Sequence, residues 1–209
     1  MGHILVTGSS RGIGSAALKA LAARGAKVIG HASRAVPHDP GSVPIIAADF
    51  GDPLSVQSLW DQALDLADGQ IDAVVNNAGR FEANRLDRSD IEWLDAWEDT
   101  LRVNLTSAAQ LSRFAVLHWQ TRNFGGRLVH VASRAAYRGD SPAHWHYAAA
   151  KSGMIGMHKT IARAYAKDGI LSFAVTPGFT DTSMADDYLA SRGGPGLLAD
   201  IPLGRVATP

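Results

Sequence analysis

The sequence predicts an α/β fold: one open, doubly wound parallel sheet with helices on both faces. Three observations carry that expectation. Short apolar runs alternate with longer stretches of helical periodicity, a glycine-rich turn follows the first run, and several runs end in polar residues. Alternation of this kind means parallel strands joined by right-handed crossovers.

The elements follow in order. His3-Ile4-Leu5-Val6-Thr7 reads as a buried strand, and Ile13 to Arg24 as a helix with Gly25 at its C-terminal cap. Lys27 to His31 is the second strand. Val43 to Ala48 is a weaker third, after a loop carrying Pro37, Pro40 and Gly41. Asp52 and Pro53 offer an N-cap and a first-turn proline for a helix to about Asp68. Ile71 to Val75 is the fourth strand, uncharged after Asp72 as burial on both faces requires. Ser89 and Glu92 have capping-box spacing and open a long helix to about Thr121. A strand from Arg127 to Ala132, a helix from Tyr147 to Lys167 and a strand from Ile170 to Thr176 complete the alternation. Trp60, Trp93, Trp97 and Trp119 fall at amphipathic spacing and read as packing.

Composition narrows the function. The 209 residues carry no repeat or linker, so 1–209 is expected to form a single domain. Twenty basic and twenty acidic side chains cancel, and the basic ones form no run. That leaves no field for nucleic acid phosphates or anionic lipid. The absence of cysteine excludes a disulfide scaffold, a thiolate metal site and a cysteine nucleophile. No window approaches the roughly 18 apolar residues of a membrane span, and the start lacks a signal peptide's charged region. The expectation is a soluble, cytoplasmic protein acting on a small molecule, with neither a nucleic acid nor a membrane partner.

Thr7-Gly8-Ser9-Ser10-Arg11-Gly12-Ile13-Gly14 lies between the first strand and the first helix. Glycines there let the backbone turn tightly and approach a pyrophosphate resting on the positive end of the helix. Taken alone, such a turn can also be merely structural. Asp49-Phe50 closes the third strand and Asn76-Asn77-Ala78-Gly79 the fourth. Both emerge at the carboxyl edge of the sheet, where open α/β folds bind ligands.

Together, the Thr-Gly-x-x-x-Gly-x-Gly turn, the Asn-Asn-Ala-Gly segment and the Tyr147-x-x-x-Lys151 pair resemble the short-chain dehydrogenase/reductase family. The resemblance runs from Ile4 to about Pro209 and implies a Rossmann-type domain that binds a nicotinamide dinucleotide. It implies that Gly8, Gly12, Ile13 and Gly14, with Ser10 in the same turn, hold the pyrophosphate. It places Asp49 and Phe50 against the adenine, Asn76, Ala78 and Gly79 beside the cofactor, and Pro177, Gly178 and Thr182 around the nicotinamide. Ala22 to Gly30 and Tyr147 to Lys151 are similar in particular to 3-oxoacyl-carrier-protein reductases. Many sugar and small-ketone reductases share that likeness, so it selects no substrate.

The choice of cofactor rests on charge. An acid at the end of the second strand would hydrogen-bond a ribose 2′-hydroxyl and repel a 2′-phosphate. Here Val28 to Arg34 contains no acid. Ser33 and Arg34 offer a hydroxyl and a guanidinium fork, and Arg11 belongs to the same corner. NADP(H) is expected over NAD(H), although Arg34 can also be read as a solvated loop residue.

Tyr147 and Lys151 stand on one helical face, and Ser133 follows the fifth strand. Hydride transfer to a ketone leaves an oxyanion that needs a proton and a hydrogen-bond donor. A tyrosine of pKa about 10 is a poor base at neutral pH. An ammonium about 4 Å away, in an effective dielectric of about 20, favours tyrosinate by about 4 kcal/mol. That ceiling corresponds to roughly three pKa units. The expected roles are Tyr147 as general acid/base, Lys151 as the group that lowers its pKa, and Ser133 as donor to the substrate oxygen. By resemblance, Lys151 also hydrogen-bonds the nicotinamide ribose, and Asn104 completes a tetrad that supports a proton relay.

Several features depart from the family pattern. Ser133 and Tyr147 are fourteen apart, one more than in the closest bacterial ketoreductases, so the loop of residues 134–146 is expected to bulge beside the substrate. A second substrate loop is expected at about 179–200. His144 and His146 have no companion ligands at metal-site spacing, and no metal is expected. Arg80 follows Gly79, where it meets either a substrate carboxylate or a surface acid. Ile201 to Pro209 resembles the segment before a further helix and a last strand; either a tail follows or the sixth strand is an exposed edge. The resemblance implies a homo-oligomer, dimer or tetramer.

The expected function is an NADP(H)-dependent oxidoreductase interconverting a carbonyl and a secondary alcohol. The alternative is a non-catalytic protein that senses a nicotinamide dinucleotide on the same fold, which would need none of Ser133, Tyr147 and Lys151.

Overall fold

A computed structural model of the chain describes residues 2–36, 42–182 and 201–209. The loop with Pro37, Pro40 and Gly41, and residues 183–200 of the expected second substrate loop, lie outside the described residues. The strands are β1 (His3–Val6), β2 (Lys27–Ala32), β3 (Ile45–Ala47), β4 (Ala73–Asn76), β5 (Gly126–Val131) and β6 (Ile170–Val175). They form a parallel sheet in the order β3-β2-β1-β4-β5-β6. The chain winds outward from β1 to β3, then returns to start again at β4. The winding therefore reverses between β1 and β4, and a crevice opens at the carboxyl ends of those strands.

The helices are α1 (Gly12–Ala23), α2 (Ser55–Leu66), α3 (Asp90–Leu101), α4 (Ser107–Thr121), α5 (Ala135–Arg138) and α6 (Trp145–Ala164). Neighbouring strand residues serve opposite faces. Leu5, Ile29 and Val74 join one core with Leu59, Trp60 and Trp119, whereas Ile4, Val6, Val28 and Val75 pack with Leu18 and Leu21 of α1. A sheet covered on both sides explains why these strands are apolar without interruption. Each such side chain contributes about 1.5–3 kcal/mol on burial. Trp60 and Trp119 are core residues, as their spacing implied. The Trp119 indole donates to the Ile71 carbonyl (2.7 Å), and its ring lies where Gly126 would otherwise carry a Cβ.

Three expectations about element boundaries are corrected. Asp52 does not cap α2: its carboxylate accepts from the Leu54 amide (2.9 Å) and its carbonyl from the Ser55 amide (3.1 Å), making a separate turn that contains Pro53. The long helix is interrupted. Its capping box at Ser89 and Glu92 forms as expected, but a π-turn spans Arg102–Thr106 between α3 and α4. Such a turn carries one extra residue and commonly sits beside a functional site. The last helix stops at Ala164, and a short 3₁₀ turn ends at Gly169, whose φ of 72° is left-handed. Among the described residues β6 pairs only with β5, and Leu171, Phe173 and Val175 along it are exposed.

Candidate active site

The glycine-rich turn is shaped by backbone conformation and by β4. Gly8 and Gly12 have φ of 63° and 55°, a region that side-chain-bearing residues rarely adopt. A Cβ on Gly8 would stand 2.7 Å from the Ala78 Cα, and one on Gly14 would overlap the Gly8 carbonyl and Asn77. The Asn77 amide donates to the Thr7 (2.9 Å) and Gly8 (3.0 Å) carbonyls. The Thr7 hydroxyl accepts from the Asn77 (2.9 Å) and Ala78 (3.0 Å) amides. Sequence reasoning noticed both segments but missed this lacing of Thr7 to Asn77, because the partners lie 70 positions apart.

A cavity of about 620 Å³ opens above this turn. One end is walled by Arg11, Ser33, Arg34, Asp49 and Phe50. Arg11, Ser33 and Arg34 are exposed there, whereas Phe50 is buried beneath. Gly8, Ser10, Gly12, Ile13, Ala78 and Gly79 line the middle. A glycine-rich turn at the start of a helix, opening into a cavity that Arg11 and Arg34 also line, fits a dinucleotide.

Ser133, Tyr147, Lys151, Pro177 and Gly178 line the cavity on the β5 and β6 side, and the Thr182 side chain lies against Gly12 of the turn. Tyr147 and Lys151 project from the first turns of α6, and Ser133 from the end of β5. The Lys151 ammonium is buried, donates to the Val131 carbonyl (2.8 Å) and lies 5.8 Å from the Tyr147 ring centroid. Burial lowers its pKa to about 8. The Tyr147 phenol moves the opposite way from the sequence expectation. Burial pushes it above its ordinary value, Asp140 adds to the rise, and a hydrogen bond with Ser133 opposes it. The ammonium is turned to a main-chain carbonyl, and the net shift of the phenol runs upward, against the sequence expectation.

The loop of residues 134–146 adds the remaining wall. It contains α5, a left-handed Gly139 and a contact between the Ser141 hydroxyl and His144 Nδ1 (2.6 Å). Phe81 stacks on His144 (3.9 Å between centroids) and stands edge-on to Tyr147 (4.7 Å). The Arg134 guanidinium covers the Phe179 ring at 4.2 Å. Residues 179–181 are in turn paired with Ala207, whose amide donates to the Phe179 carbonyl (3.0 Å) and whose carbonyl accepts from the Asp181 amide (2.8 Å). None of Phe81, Arg134 and Phe179 was singled out as a site residue; only their loops were.

Three expected site residues do not face the cavity. Gly14 is buried at the base of the turn, where its missing Cβ lets α1 approach. The Asn76 side chain points into the core, donating to the Ser112 hydroxyl (3.1 Å) beside His130 (3.3 Å). Asn104 lies in the π-turn and spends its amide on the Arg80 peptide, accepting from its N–H and donating to its carbonyl, both at 2.8 Å. Arg80 resolves in favour of the protein's own acid, since its guanidinium pairs with Asp99. Among the described residues no group of three metal-binding side chains forms, and no helix is long and apolar enough to cross a membrane.

Comparison with known proteins identifies the family and the fold. The family model described as short chain dehydrogenase matches residues 2–193. A 3-oxoacyl-[acyl-carrier-protein] reductase of Escherichia coli (strain K12) is 38% identical, with 97% of this chain and 82% of that protein covered. The corresponding reductase of Vibrio cholerae serotype O1 is 37% identical over 98% of this chain and 84% of that one. A solved 4-hydroxyisoleucine dehydrogenase complexed with NADH superposes with a TM-score of 0.80 at 24% identity, covering 100% of this chain and 85% of that one. At that identity the superposition speaks for the fold.

Proposed function

The chain belongs to the short-chain dehydrogenase/reductase family, oxidoreductases that interconvert a CH–OH group and a carbonyl, and on that premise we propose an NADP(H)-dependent ketoreductase with Tyr147 as its proton donor. The observation that supports it is the convergence of Ser133, Tyr147 and Lys151 on the same cavity as the glycine-rich turn. Arg11, Ser33 and Arg34 at the other end favour a 2′-phosphate over a bare ribose. When bound, the nicotinamide supplies a hydride to the carbonyl carbon. Tyr147 then gives its phenolic proton to the carbonyl oxygen, and Ser133 donates a hydrogen bond to the same oxygen. Burial keeps the phenol protonated at neutral pH, which suits the direction of reduction. Lys151 holds a positive charge beside the phenol as the oxyanion forms. Asn104 acts through Arg80, whose peptide it fixes next to Gly79.

The reading treats residues 1–209 as one dinucleotide-binding unit with substrate loops near 134–146 and 179–200, working in the cytoplasm as a homodimer or homotetramer. The first experiment is a titration with NADPH and NADH, followed by nicotinamide fluorescence and thermal stability. Tighter binding of NADPH is expected, and preference for NADH would overturn the assignment of the arginine corner. A panel of 3-oxoacyl thioesters and small ketones then follows with Tyr147→Phe as control. Loss of turnover by about 10²–10⁴ with cofactor affinity retained is the outcome for a catalyst. Binding of the dinucleotide with no turnover on any carbonyl would mark the protein as a sensor.

A further inference from the structure

We infer that His31 is a positioning residue for the dinucleotide, locked in one tautomer to brace the glycine-rich turn against the adenine wall. The inference rests on the cofactor reading above. His31 sits at the end of β2, 2% exposed, in a position where the surrounding strand is apolar. Its Nδ1 accepts from the Gly8 amide at 3.1 Å, the residue whose left-handed φ begins the turn. Its Nε2 lies 2.8 Å from the Ala48 carbonyl, just before Asp49 and Phe50. An amide can only donate and a carbonyl can only accept, so the partners fix a neutral ring with the proton on Nε2. The ring also stacks on Phe50 at 4.2 Å and 11°, and the cavity reaches it. The main chain repeats the connection. The Ser9 amide donates to the His31 carbonyl (2.8 Å), and the His31 amide donates to the Ser9 hydroxyl (3.0 Å).

One residue thus ties the turn expected to hold the pyrophosphate to the wall expected to hold the adenine. These two contacts lie on one ligand, so their relative placement decides how much conformational freedom it must give up to make both. Protonation would put a second N–H against the Gly8 amide and break the brace. The charged groups around the ring are few. Asp49, from the β3 side, favours the imidazolium, while Arg11 from the turn and Arg34 from beyond β2 are exposed in the same cavity. α1 presents Leu18 to neighbouring Gly30. Burial outweighs Asp49 and keeps the pKa of His31 below its ordinary value.

The test is calorimetric binding of NADP⁺ and of NAD⁺ from about pH 8 to about pH 5. NAD⁺ controls for the 2′-phosphate, which itself titrates near about 6. In the wild type, affinity for both cofactors should fall about tenfold once the pH drops below the lowered pKa of His31, the loss of one hydrogen bond. His31→Asn offers an acceptor to Gly8 without titrating, and should keep neutral-pH affinity within about threefold with a flat NAD⁺ profile. His31→Phe keeps the stack alone and should bind weakly at every pH. Equal pH slopes in wild type and His31→Asn would overturn the inference, as would wild-type affinity in His31→Phe. Should the variants not fold, imidazole nitrogen shifts of the wild type decide: a proton on Nδ1 at neutral pH overturns it. Failure of the wild type to bind either dinucleotide at any pH would remove the cofactor reading and this inference with it, an outcome distinct from pH-independent binding.

Discussion

The Asn104 carboxamide and the Arg80 peptide bond each other in both directions, Oδ1 accepting from the amide and Nδ2 donating to the carbonyl, each at 2.8 Å. The pair joins the π-turn between α3 and α4 to the segment leaving β4, and Gly79 packs against it. A Cβ on Gly79 would stand 3.3 Å from Asn104 Oδ1. Asn104 is fully buried, so its carboxamide has no water as a substitute, whereas Arg80 is half-buried at the cavity wall.

Asn104→Ala should cost about 1–3 kcal/mol, since it removes both hydrogen bonds that hold the half-buried Arg80 segment. Asn104→Asp keeps the acceptor but sets a buried carboxylate oxygen against the Arg80 carbonyl, and should cost at least as much near neutral pH. Urea denaturation measures both. Because the Arg80 segment borders the cavity, turnover should fall further than cofactor affinity in both variants.

The burial of Lys151 carries a stability cost. Burial takes its pKa from 10.5 to about 8, equivalent to about 3 kcal/mol against the folded state while the group is charged in both states. Between pH 8 and 10.5 the unfolded chain holds a proton that the folded chain has shed, so stability climbs with pH in that window. Lys151→Met, of similar length and apolar, should be more stable than wild type at neutral pH by about 1–3 kcal/mol and lack the alkaline rise. Its ketoreductase activity should be lost. A variant less stable than wild type at neutral pH would contradict the burial argument.

The rate of reduction should depend on pH through the same two groups. Burial holds Tyr147 protonated through neutral pH, and Lys151 keeps its charge below about pH 8. Reduction should stay level through neutral pH and decline as pH rises through about 8. Oxidation of the alcohol, which needs the phenolate as proton acceptor, should increase only at pH above the ordinary tyrosine value, because burial pushes Tyr147 above it. Parallel profiles in the two directions would count against Tyr147 as the proton carrier.

Arg34→Ala should weaken NADPH by about tenfold or more and leave NADH within about twofold, the signature of a lost guanidinium–phosphate contact. Arg11→Ala should act in the same sense. If both variants lose NADH and NADPH equally, the arginines support the turn and do not read the phosphate.

Much of this architecture is legible because spacing decides which face of an element a residue occupies. The strand alternation, the capping box at Ser89 and Glu92, the left-handed glycines and the Tyr147–Lys151 pairing on α6 all depend on neighbours within a few residues. The boundaries at Asp52 and in the long helix escaped the same reasoning. There a side chain chose between two local hydrogen bonds, or a distant peptide captured an amide.

What the sequence by itself determined was the family, the doubly wound parallel sheet its alternation implies, and which residue types meet at the carboxyl edge. The tertiary structure alone decided where their polar atoms point. Asn76 turns into the core towards Ser112, Asn104 to Arg80, the Lys151 ammonium to the Val131 carbonyl, and His31 to Gly8 and Ala48. These partners lie 17 to 36 positions away in the chain. A buried polar group must find whichever partner the fold brings within about 3 Å, and residue spacing along one element carries no record of that choice.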